Sequence, residues 1–174
     1  SGNESTYFSA QLWQALSLLP FQDRFALYEV WKEGGFLQGS ERDSKTNVVG
    51  SMENYALMFC RSQVKRLAKE NAKQIGQKLA KFMHANPIIF MQHVLNQIEN
   101  FDNLIPYIVE SMKYSTDLSR DVFAACILFQ LKRTEQETKI KEGDTHYVQW
   151  FSALSKFIGT FYCKYPNTEI KGLM

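Results

Sequence analysis

Toward the end of the chain, Tyr147, Trp150, Phe151, Leu154, Phe157, Ile158, Phe161, Tyr162 and Tyr165 recur with i, i+3, i+4, i+7 spacing. That period lays them along one side of an α-helix. Thr145 stands where such a helix can start, and Pro166 stands where it has to stop. A stripe this wide and this aromatic needs covering on more than one side, which only other helices supply.

The rest of the sequence provides them. Asn86-Pro87 reads as N-cap and first helical position. Behind it, Ile88, Met91, Leu95 and Ile98 mark one face, widened by Phe90 and Val94, while Gln92, His93, Asn96 and Gln97 fall toward the other. The spacing predicts a further helix from Asp102 or Asn103 to about Tyr114, with Pro106 in the first turn, where a missing N–H is harmless. Thr116 or Asp117 caps another, carrying Leu118, Val122, Ala125, Cys126 and Phe129, which fades into the polar run Lys132–Asp144. In the N-terminal part, Ser5 or Thr6 caps a helix with Phe8, Leu12, Ala15, Leu16 and Leu19. Pro20 opens a second, with Phe25, Leu27, Tyr28 and Trp31 before Gly34-Gly35. Leu37–Ser51 is polar and rich in Gly and Ser, a loop by composition. One long helix or two follow, from about Met52 to about Ala85, with Gly76 as the expected break. Strand signals are nearly absent: no hairpin dipeptide separates two alternating runs.

The expectation is an all-α chain of about seven to eight helices. Short connections favour antiparallel neighbours. Stacked helix pairs of a divergent solenoid and a closed helical bundle both satisfy this pattern. At 174 residues the chain is a single all-helical segment, 1–174, with the loop 37–51 inside it. The hydrophobic share of 45% and aromatic share of 14% exclude a disordered chain. No apolar run approaches the roughly 18 residues of a membrane helix, and the start, SGNESTYFSAQ, has neither the basic nor the apolar region of a secretory signal. The three cysteines, Cys60, Cys126 and Cys163, are far apart and in apolar helical contexts, which reads as reduced, mostly buried thiols.

No catalytic constellation emerges. His84 and His93 are not at the i, i+4 spacing of a helical metal pair, and no cysteine joins them. There is no phosphate-cradling glycine loop and no nucleophile elbow. Acid pairs such as Glu135/Glu137 and Asp117/Asp121 sit beside basic residues and read as solvated surface. No cofactor, metal or small-molecule substrate is implied.

Charge is the remaining signal. Between Arg61 and Lys81 lie seven basic residues and one acid, Glu70, a local charge of +6 in a chain of net charge +2. Arg61, Lys65, Lys69 and Lys73 are spaced by four, and a row of that spacing drifts only about 40° per step around a continuous helix. Lys81 continues the row if the helix does not break. Such a stripe fits an acidic protein surface, or RNA or DNA phosphates bound weakly and without sequence preference. No base-stacking signature accompanies it.

Three phrases are more individual: LPFQDRFALYEVW (Leu19–Trp31), VKRLAKEN (Val64–Asn71) and HANPIIFMQHVLNQIENFDNLIPYIVESMKY (His84–Tyr114). In sequence, order and spacing they resemble the family of the second, largest subunits of the THO complex. TDLSRDVF (Thr116–Phe123) and the Trp150–Pro166 segment ending in FYCKYP fit the same region, so the resemblance runs from about Leu12 to Pro166. It implies an irregular stack of antiparallel helix pairs, an α-solenoid of the HEAT-like or MIF4G-like kind. It also implies an internal segment of a long, non-enzymatic nuclear scaffold. On that scaffold the other subunits of THO and of its larger TREX assembly gather, coupling transcription and messenger-RNA processing to export. Within that picture Arg61, Lys65, Lys69, Lys73 and Lys81 are the candidate partner or RNA contacts.

Overall fold

Local signals place most helix ends where the chain puts them. The structure, a computed structural model, describes residues 2–33, 54–98, 100–138 and 145–173. Among these are eight α-helices and no strand. They are α1 (Gly2–Leu16), α2 (Phe21–Lys32), α3 (54–64), α4 (Ala72–Ala85), α5 (Pro87–Ile98), α6 (Ile105–Ser111), α7 (Asp117–Thr138) and α8 (Thr145–Lys164). Short 3₁₀ turns flank α6 on both sides and close the chain at Lys171–Leu173. Thr116 caps α7 as expected, its Oγ1 accepting the Ser119 N–H. The loop expected over 37–51 lies outside the described residues.

Three boundaries differ from the sequence reading. Helix α1 begins at Gly2, so Ser5 and Thr6 lie inside it rather than at its cap. Helix α7 runs on to Thr138 instead of fading at Lys132, because Lys, Arg, Glu and Gln in that run are strong helix formers. The break in the 52–85 region is at 65–71, not at Gly76. Asn71 makes it: its Oδ1 accepts the Ala68 N–H at 2.8 Å and its Nδ2 donates to the Arg66 carbonyl at 2.7 Å. Side-chain amides that bond nearby backbone give the chain an alternative to helix. Leu67 is buried within this turn and anchors it.

Gly76 has a different purpose. It is buried in α4 against α6, where an added Cβ would sit 3.0 Å from Ser111 Cβ and 3.2 Å from Ser111 Cα. A glycine there lets the two helices approach closely.

Helices two apart in the chain pack together: α4 on α6, α6 on α8, and α5 on α7. Helix α1 lies across α4 and α7, and α2 lies on α7 and the C-terminal turn. The core runs through α5, where Phe90, Met91, Val94, Leu95 and Ile98 are essentially inaccessible. His93 is buried too, against the expectation that it faces outward, because α4, α7 and α8 all pack on this one helix and leave little of it uncovered. Phe123 of α7 meets Phe157 and Phe161 of α8, joining the aromatic stripe to the centre. Tyr165 closes α8 onto α6 by donating to the Val109 carbonyl at 2.8 Å.

Candidate functional site

The basic residues are distributed over three pieces of backbone. Arg61 is in the last turn of α3, Lys65, Arg66 and Lys69 are in the 65–71 turn, and Lys73, Lys78 and Lys81 are on α4. The single continuous helical stripe expected from the spacing does not form, since the helix stops at 64. All seven side chains are nonetheless exposed. On α4 the division of faces explains it: Ile75, Leu79 and Met83 are buried and the lysines are left outside. None of the seven forms an ion pair with an acid among the described residues.

Arg61 and Lys65 lie close enough to α5 for their charges to act on His93. Burial holds the His93 imidazole below its ordinary value of 6.5, and the charges of Arg61 and Lys65 push it further the same way. Its Nε2 has no hydrogen-bond partner among the described residues. The neutral form is therefore favoured when folded, and the unfolded chain takes up the proton more readily. Stability is complete above about pH 6.5 and declines as pH falls below it, by at most about 1.4 kcal/mol per pH unit for one proton. Urea unfolding at pH 7.5 and 5.5 tests this. The native chain is expected to lose more stability between the two than His93→Leu does.

A buried polar network stands where sequence reasoning placed solvated surface. Asp121 is 3% exposed, not solvated. It takes two hydrogen bonds from Arg24, Nε to Oδ2 and Nη2 to Oδ1, each at 2.8 Å, and a third from the Tyr28 hydroxyl at 2.8 Å. Arg24 Nη1 donates to the Leu19 carbonyl, and its guanidinium lies 5.4 Å from the Trp13 ring centroid. The hydrogen bonds that Arg24 donates to Asp121 raise the Arg24 pKa, and burial raises that of Tyr28. A sequence signal existed: Asp121 falls three after Leu118 and four before Ala125, within the apolar stripe of α7. Its partners are 97 and 93 residues away, so nothing local identified them.

Beside this network lies an apolar groove of about 650 Å³ between α1, α2, α4 and α7, walled by Phe8, Leu12, Leu16, Leu27, Trp31 and Leu118. His84 closes one end. Its Nε2–H donates to the Tyr114 carbonyl at 3.0 Å, which leaves Nδ1 to accept from the Thr6 hydroxyl at 3.1 Å. Burial pushes the Cys60 and Cys126 thiols up to about 12, so both stay protonated at neutral pH. Cys163 differs from the other two in being exposed. Among the described residues no group of three His, Cys, Asp or Glu converges to hold a metal, and no helix is long and apolar enough to cross a membrane.

Known proteins match the chain over nearly its whole length. The family model described as transcription- and export-related complex subunit matches residues 79–155, from within α4 to within α8. Lys81 falls inside that stretch, and Arg61, Lys65, Lys69 and Lys73 lie before it. THO complex subunit 2 of Homo sapiens is 34% identical over 166 residues, 95% of this chain and 10% of that protein. The Arabidopsis thaliana subunit is 33% identical over 94% of the chain and 8% of its own length. The Saccharomyces cerevisiae subunit is 22% identical over 95% of the chain and 10% of its own length. The chain thus spans about a tenth of the length of the curated relatives it matches. It is a homologue of THO complex subunit 2.

Proposed function

We propose that this chain is a non-catalytic scaffold segment of a nuclear THO complex. It is one all-helical piece of a much longer helical protein, and it holds other THO and TREX subunits together in coupling transcription and messenger-RNA processing to export. The observation that carries this reading is the 34% identity to human THO complex subunit 2 along 95% of the chain. The packing of α4 on α6, of α6 on α8, and of α5 on α7 supports a stack of helix pairs over a closed bundle. In such a stack the outer faces and connecting turns present the contacts, and Arg61, Lys65, Lys69, Lys73 and Lys81 are the exposed residues assigned to them.

With the chain as bait against the other purified THO subunits, the native form is expected to retain at least one. A Lys65→Glu, Lys69→Glu, Lys73→Glu form is expected to lose it. No retention by the native chain overturns the scaffold reading for this segment.

A second reading, a helical module for nucleic acid, draws on the same cations and on their lack of ion pairs among the described residues. It requires RNA affinity to fall steeply with salt, the slope easing by about one for each phosphate-bound lysine removed. Unchanged RNA affinity in the charge-reversed form ends it.

A further inference from the structure

Helix α3 carries two opposed faces. Ala56, Cys60 and Val64 are buried, and Phe59 packs against Phe82 with ring centroids 5.5 Å apart. The other side is not covered. Tyr55 is 73% and Met58 69% exposed, and Arg61 and Lys65 are exposed beyond them. At about 100° per residue, positions 55, 58 and 61 fall within roughly one third of the helix circumference, and Lys65 follows at the first residue of the turn. The result is a stripe with a large apolar pair at one end and cations at the other, which Arg66 and Lys69 extend into the turn. Over 54–98 the described residues hold one acid, Glu70, and none of these cations forms an ion pair with an acid among the described residues.

We propose that the stripe Tyr55–Met58–Arg61–Lys65–Lys69 is a docking surface for an acidic amphipathic helix of a protein partner. Its apolar side chains would seat on Tyr55 and Met58, and its carboxylates on Arg61, Lys65 and Lys69. Charge complementarity selects the sign of the partner, since an acidic segment is drawn to unpaired cations and a basic one repelled. The apolar pair selects its form. Two large side chains three apart on a rigid helix match the i, i+3 anchors of a helix laid alongside, and methionine adapts to varied apolar contours. A polyanion without apolar groups would leave that half of the stripe unused. The proposal rests on the scaffold reading only in taking the partner to be a protein.

The test uses the intact chain and a fluorescein-labelled peptide of Glu and Leu in helical amphipathic register. A shuffled peptide of the same composition, poly-Glu and oligouridine serve as comparisons. Anisotropy is expected to show the registered peptide binding about tenfold or more tighter than the shuffled one. Tyr55→Ser with Met58→Ser is expected to weaken it at least about fivefold, since buried apolar anchors carry most of such interfaces. Lys65→Glu with Lys69→Glu weakens it as well, and circular dichroism stays native because all four side chains are exposed. Bound carboxylates would offset Arg61 and Lys65, so the NMR titration of His93 is expected to move upward when the peptide is present. Four results overturn the proposal: equal binding of shuffled peptide or poly-Glu with no effect of the Tyr55/Met58 change; tighter binding of oligouridine, sensitive to the lysines alone, which makes the surface a nucleic-acid contact; an unmoved His93; or no binding at all. Peptide binding without subunit capture would leave this surface standing and the scaffold reading fallen. Subunit capture without peptide binding would do the reverse.

Discussion

Asp121→Ala is expected to cost about 3–5 kcal/mol, the range for breaking a buried ion pair from one side. Arg24 is 6% exposed and would keep its charge with the Leu19 carbonyl, the Trp13 ring and Glu169, whose Oε2 is 3.6 Å away, to face it. The Tyr28 hydroxyl would lose its acceptor at the same time. A domain of ordinary stability has about 5–15 kcal/mol in total, so this one change takes a large share of it. Urea unfolding measures it as a drop in midpoint with little change in slope. The double variant Arg24→Met, Asp121→Leu separates the causes. If the cost comes from a stranded charge, the double variant is far more stable than Asp121→Ala, because two apolar side chains of similar size can replace a buried pair nearly without loss. Equal instability of both would place the cost in lost shape instead. The network ties α2 to α7 and reaches Trp13 of α1, so these three walls of the apolar groove loosen together in Asp121→Ala.

Phe123→Ala is expected to cost about 3–5 kcal/mol by a different route, the removal of a large side chain from a packed interior. Phe123 has no exposed surface and lies between two rings of α8. It meets Phe157 edge-on at 5.4 Å and Phe161 at 4.1 Å between centroids. Truncation leaves a void that neither rigid ring can fill by a change of rotamer. Leu18→Ala, at a position 85% exposed, is the matched surface control and should stay within about 0.5 kcal/mol of native. Thermal or urea unfolding of the three proteins side by side checks the contrast. A small effect of Phe123→Ala would mean that α7 and α8 repack freely, which the aromatic stacking argues against.

The two cases differ in how well the sequence announced them. Phe123, Phe157 and Phe161 declare themselves by type and period, and the chain has no alternative place for them. Asp121 falls within an apolar stripe, but a carboxylate there is as compatible with a surface position as with a buried one until its partner is known. The same holds for His93. Its side of α5 looks polar from the neighbouring Gln92, Asn96 and Gln97, and it is buried only because that helix is covered by several others. The basic residues show the converse. Their exposure follows from their charge, yet their arrangement depends on a turn closed by the Asn71 amide and anchored by Leu67. Both Arg61–Lys73 spacing and a lone Gly76 pointed to other outcomes.

The amino-acid sequence by itself determined the helical class, the starts at Pro87 and Thr116, the stop before Pro166, the aromatic side of α8 and the likeness to THO subunits. Apart from that likeness, which rests on order and spacing along the chain, these are set within single helices, by dihedral preferences, missing N–H groups and apolar period. Only the tertiary structure decided which polar residues are inside, where the 52–85 region bends, and that Tyr55 and Met58 stay exposed on the helix that carries Arg61. The reason is physical. A period tells how residues are arranged around one helix, but how many of its sides are covered, and what a buried charge meets there, is fixed by segments up to 97 residues away.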